Sequence, residues 1–189
     1  MKKIFSILTI ALFATIMVSC DKEDEINNGG TQLNIPANTL IYDGTSYTFD
    51  IVDVDYYHSE LTLVSAETSE IVNEEPKLSI HGIHITPNAW NKTLDLSNAS
   101  QWPEDVMVAL HLSGELNISY ESWNNGGQLG SWGEFNGEEL ENTSLFTSGT
   151  YRVSGNNDGT PITITYDCTL KNGKKLQIKL VTDNYDVHN

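Results

Sequence analysis

The chain has little cysteine, little positive charge and only one long hydrophobic run. Its two cysteines are Cys20, which closes that run, and Cys168, which stands alone in the remaining sequence. No internal disulfide framework is therefore available, and the fold must rest on its core. A chain of this length can do so, burying roughly 70% of its unfolded surface. Cys168 lies in the segment ITITYDCTL, in step with Ile162, Ile164, Tyr166 and Leu170. That spacing makes it a small buried hydrophobe rather than a nucleophile. Lys and Arg together number 10 against 26 Asp and Glu, giving a formal charge of −16. Such a surface repels nucleic acid and anionic headgroups, and attracts cations mainly as a diffuse atmosphere that favours solubility.

Catalytic signatures are also missing. The sequence has no Gly-x-Ser-x-Gly elbow, His-Glu-x-x-His pair, phosphate loop or dinucleotide fingerprint. A glycoside hydrolase needs two carboxylates at about 5 Å or about 6.5–9.5 Å. With 26 acids to draw on, Glu134, Glu138 and Glu139 among them, their presence selects nothing. No cofactor and no catalytic residue is expected, and the chain reads as a non-enzyme. Metal ligation is not expected either. His81 and His84 are three apart, so in a strand they face opposite ways unless Gly82 bends the chain. His111 has no acidic neighbour in sequence. Asp50, Asp53 and Asp55, and the run Asn156-Asn157-Asp158, offer oxygens to calcium but lack the spaced glycine and distal glutamate of an EF-hand, so solvated turns explain them.

What is present begins at the N-terminus. Met1-Lys2-Lys3 is a short basic start, Ile4 to Val18 is uncharged and apolar, and Ser19-Cys20 comes next. The run is shorter than the roughly 20 residues a spanning helix needs, and no basic cluster succeeds it. A small residue directly before a cysteine at the end of such a core reads as a lipoprotein signal, with residues 1–19 removed and Cys20 the acylated nucleophile. Several acyl chains, at about 0.8 kcal/mol per buried methylene, would make the anchor permanent. Residues 20–30 carry the anchor and a polar tether ending in Asn27-Asn-Gly-Gly30, and residues 31–189 form one domain.

Cys20-Asp-Lys-Glu-Asp-Glu25 resembles the surface-export signal of Bacteroidetes lipoproteins, in which a lysine and acids come after the lipidated cysteine. The resemblance makes Lys22, Glu23 and Asp24 the export signal. It implies a protein held by lipid in the outer membrane and facing the cell exterior.

From residue 31 onward, alternation at period two dominates. Leu40–Tyr42 and Tyr47–Ile51 flank Asp43-Gly44, a hairpin turn because both positions favour positive φ. Further strands fall at 61–64, 78–85, 106–112, 116–123 and 150–153, and Asn172-Gly173 joins a final pair over 162–170 and 174–181. One helical turn is expected within Asn98–Asp105, with Pro103 near its start. Roughly nine or ten antiparallel strands imply an all-β domain. The successive hairpins lean slightly toward a lipocalin-like antiparallel barrel over a two-sheet β-sandwich.

The richest chemistry lies in Trp123–Phe135, read as a glycine-rich loop. Trp123 and Trp132 supply flat apolar faces, and Asn124, Asn125, Gln128 and Glu134 supply planar hydrogen-bonding groups. Sugar recognition needs both kinds of group, and glycines allow close backbone approach. The competing reading is structural: Trp123 caps the core and the glycines only turn the chain. Trp90 and Trp102 read as plugs at one end of the body. Tyr42–Tyr47, Trp90–Leu96 and Ser148–Val153 resemble segments of small gut Bacteroidetes lipoproteins, a resemblance that carries no catalytic residues with it. The expected function is a surface-anchored, non-enzymatic binding module for a neutral glycan, with an adhesive role toward a surface protein as the alternative and a glycoside hydrolase as the more distant one.

Overall fold

A computed structural model describes residues 33–57, 61–139, 144–156 and 161–187. Cys20, Lys22, Glu23, Asp24 and the tether, together with Asn157-Asp158, lie outside the described residues. Sixteen strands are present among those described: β1 (Thr39–Tyr42), β2 (Thr45–Thr48), β3 (Ile51–Tyr57), β4 (Leu61–Glu67), β5 (Ile71–Val72), β6 (Glu75–Pro76), β7 (Leu78–Ile85) and β8 (Thr93–Asp95). They continue as β9 (Val106–Gly114), β10 (Ile118–Asn125), β11 (Gln128–Phe135), β12 (Glu138–Glu139), β13 (Phe146–Ser154), β14 (Ile162–Leu170), β15 (Lys175–Thr182) and β16 (Tyr185–Val187).

The strands form a six-stranded sheet in the order β2-β1-β15-β14-β13-β8 and an eight-stranded sheet in the order β12-β11-β10-β9-β7-β4-β3-β16. Neither closes on itself and no described strand joins one to the other, so the two-sheet sandwich replaces the barrel that successive hairpins suggested. All pairings within the two large sheets are antiparallel except β16 on β3. Hairpin connectivity alone does not separate the two forms, because both are built from the same turns.

Burial keeps to the period of two. On β14 alternate positions bury Ile164, Tyr166 and Cys168 between the sheets, and on β15 Leu176, Ile178 and Leu180 do the same. Facing them, Val106, Val108, Leu110 and Leu112 of β9 and Ile118 and Tyr120 of β10 point inward. Buried polar links join the two sheets: Tyr166 Oη donates to the Ala109 carbonyl at 3.0 Å, tying β14 to β9, and Thr182 Oγ1 donates to the Val52 carbonyl at 2.9 Å, tying β15 to β3. Tyr151 packs on Tyr166 with ring centroids 4.8 Å apart.

Three sequence expectations change. The run Tyr47–Ile51 is not one strand, since β2 belongs to the six-stranded sheet and β3 to the eight-stranded sheet, with Phe49-Asp50 carrying the chain across. The helical turn is a 3₁₀ turn at Ala99–Gln101, and Pro103 comes after it rather than opening it. The supposed loop after Trp123 is a strand, β11. The Asp43-Gly44 turn does form, with φ of 49° and 86°.

Candidate functional site

Gly126 and Gly127 take φ of 54° and 83°, the paired left-handed conformation of a two-residue turn that matches strand twist. They close a hairpin in which Asn125 faces Gln128, Trp123 faces Gly130, Glu121 faces Trp132 and Ser119 faces Glu134. Opposed residues of an antiparallel pair share a face. Five of the six sequence candidates, Trp123, Asn125, Gln128, Trp132 and Glu134, therefore stand together on the outer face of the eight-stranded sheet. Trp123 and Trp132 occupy diagonal positions, about 7–8 Å apart by strand geometry, and both rings are half-buried.

Asn124 alternates to the inner face and is buried. Its Nδ2 donates to the Trp102 carbonyl at 2.9 Å, and its Oδ1 accepts from the Gly127 N–H at 3.1 Å. It fastens the turn to the segment carrying Trp102, and both ends of its amide are engaged within the protein. Trp102 is itself buried and donates from Nε1 to the Asp95 carbonyl at 2.7 Å, as a plug should. Trp90 packs against the core edge.

Trp123 is seated by Gly130. A side chain on Gly130 would fall inside the indole, so the glycine is required by the ring's approach and not by its own φ. The glycines that made this segment look like a loop thus let a large ring lie across the neighbouring strand. Beside the ring a groove of about 240 Å³ opens, lined by Thr86, Asp105, Met107, Trp123 and Asn125 among others.

The same outer face holds residues whose proximity the sequence hid. Glu121 lies 3.4 Å from His111 Nε2. The His111 ring is 5.9 Å from that of His84 on β7. A bulge between Ile80 and Gly82 shifts the register of β7 against β9. Both imidazoles lie above Gly82, where a side chain would meet them. His81 bonds instead to Ser113 Oγ. Burial, and secondarily the neighbouring His111, hold the His84 imidazole below its usual pKa, while Glu121 opposes them. Among the described residues no three His, Cys, Asp or Glu side chains gather as a metal-holding group.

The acids Glu134, Glu138 and Glu139 sit where β11 meets β12. No family model matches the chain, and neither a curated protein nor a solved structure matches it.

Proposed function

We propose that this protein is a surface-anchored lipoprotein that binds a neutral glycan without transforming it. The observation that carries the reading is the pairing of two half-exposed indoles, Trp123 and Trp132, on one outer sheet face beside Asn125, Gln128, Glu121 and Glu134. A pyranose presents an apolar C–H face to such rings and its hydroxyls to amides and carboxylates at their margin. A rigid sheet holds these groups in place, so little ordering is needed on binding. The charge of −16 favours neutral over acidic sugars.

The anchor at Cys20, with Lys22, Glu23 and Asp24 as the export signal, would display this face outside the outer membrane. Its support is the apolar run ending in Ser19-Cys20. Intact mass of the protein from its native membrane should show acyl chains on Cys20, and an unacylated mature protein would remove the anchoring half of the proposal.

Binding is tested on a glycan array with the soluble domain and its Trp123→Ala and Trp132→Ala variants. Loss of roughly tenfold or more in affinity is expected from each, in line with the contribution of a stacked ring. Binding that survives both substitutions unchanged would reject the face.

A further inference from the structure

The indole of Trp123 lies toward β11, because Gly130 leaves room for it there. On its other side is β9, where Met107 stands directly opposite Trp123 in register. The groove of about 240 Å³ opens on that side. Its floor offers a ligand no free polar group: Val106 is buried, and both ends of the Asn124 amide are engaged within the protein. The wall away from Trp123 comes from two turns, one after β7 and one before β9. They are tied together twice. The Met107 N–H donates to Thr86 Oγ1 at 3.4 Å, and Asn88 Nδ2 donates to the Glu104 carbonyl at 2.9 Å. The groove is therefore formed before any ligand arrives.

Size and lining limit what fits. Pockets for drug-sized ligands begin at roughly 300 Å³, so this groove has room for a single sugar ring. The indole and the Met107 thioether meet the apolar C–H face of such a ring. At the rim stand the Thr86 hydroxyl, the Asn125 amide and Asp105. Asp105 is exposed, and no hydrogen bond or ion pair among the described residues engages its carboxylate. It takes φ of 58°, a left-handed conformation that Asp and Asn tolerate. An ionised carboxylate is an acceptor with two oxygens, matched to two neighbouring hydroxyls and repelled by another carboxylate.

We infer that this groove is the specificity subsite of the glycan face, taking one uncharged pyranose ring that Asp105 selects by accepting two adjacent hydroxyls. It rests on the glycan reading and narrows it to sugars with a free vicinal diol. An acidic sugar is refused locally by Asp105, and not only by the net charge of the chain.

Met107 is the sole methionine after residue 19, so methyl-labelled methionine places one signal of its own on the groove wall. The test is a titration of that signal in the whole chain from residue 20, with Cys20→Ser to keep it in solution. Methyl pyranosides of glucose, galactose and mannose are the neutral probes, and methyl glucuronoside and methyl galacturonoside the acidic ones. At least one neutral probe should shift the Met107 methyl signal saturably, and the acidic probes should not at the same concentrations. Asp105→Asn keeps a residue suited to the left-handed turn, and should weaken the neutral probe by about tenfold while letting the acidic probes bind. Trp132→Ala should leave the single-ring response unchanged. A Met107 signal untouched by every neutral probe, acidic probes binding as well as neutral ones, or an Asp105→Asn protein indistinguishable from the parent would each overturn the subsite. If the glycan array still shows binding that Trp123→Ala and Trp132→Ala abolish, only the groove assignment falls; if it shows none, the glycan reading falls with it.

Discussion

The indole of Trp123 occupies the space above Gly130 on the neighbouring strand, so that one residue's ring takes the place of the other's side chain. Replacing Gly130 by alanine forces the ring off its seat. We expect a loss of about 1–3 kcal/mol in stability from overpacking, visible as a lower urea midpoint. Tryptophan fluorescence should shift red as the ring moves into water. Glycan affinity should fall with it, although Gly130 itself offers no side chain to a ligand.

The tyrosines of the core make opposite predictions. Tyr166 Oη bonds across the sandwich to Ala109, whereas Tyr151 Oη is buried with no hydrogen-bond partner among the described residues. Tyr166→Phe should cost about 1 kcal/mol, and Tyr151→Phe should be neutral or stabilising. Paired urea curves with unchanged slopes would check both, and equal losses would contradict the assignment.

Stability should fall as pH drops below the ordinary range of histidine. His84 has a folded pKa below its unfolded value, because burial and His111 disfavour its charge. Below about 6.5 the unfolded chain therefore binds a proton that the folded one resists, and the deficit is complete once pH passes below the folded pKa. The facing groups are His111 and Glu121, with Glu121 partly offsetting the effect. Melting temperatures from about pH 7.5 to about pH 5 should decline, and His84→Gln should flatten that decline.

Cys168 should be chemically silent in the native protein. Burial pushes its thiol well above the usual range, with the neighbouring Asp167 adding to the shift, and Sγ lies 3.4 Å from the Leu176 carbonyl. A thiol reagent should label it only in denaturant, since the reactive species is the thiolate. Rapid labelling under native conditions would show that β14 opens locally.

Much of the strand layout could be read along the chain. Ile162–Leu170 alternates cleanly, Val106–Leu112 is a near-continuous apolar run of strand length, and Asp43-Gly44 marks a turn by its backbone preference alone. β11 could not be read, because Gly130 and Gly133 erase the alternation at the places where Trp123 and Leu145 approach them. The gathering of His84, His111 and Glu121 was hidden for another reason. It depends on a bulge beside Gly82 and on the order in which β7, β9 and β10 lie side by side. The crossing from β2 to β3 is equally silent, since Phe49-Asp50 interrupts neither the apolar count nor the charge pattern.

By itself the sequence determined that the body is built from strands and that Ile162, Ile164, Tyr166, Cys168 and Leu170 turn one face to its core, because local alternation and turn preference act over a few residues. Only the tertiary structure decided that the sheets stay open as a sandwich, that two tryptophans share one face, and that Trp123 lies over Gly130 of the neighbouring strand. Those outcomes depend on register and neighbour order, which are set by contacts between segments far apart along the chain.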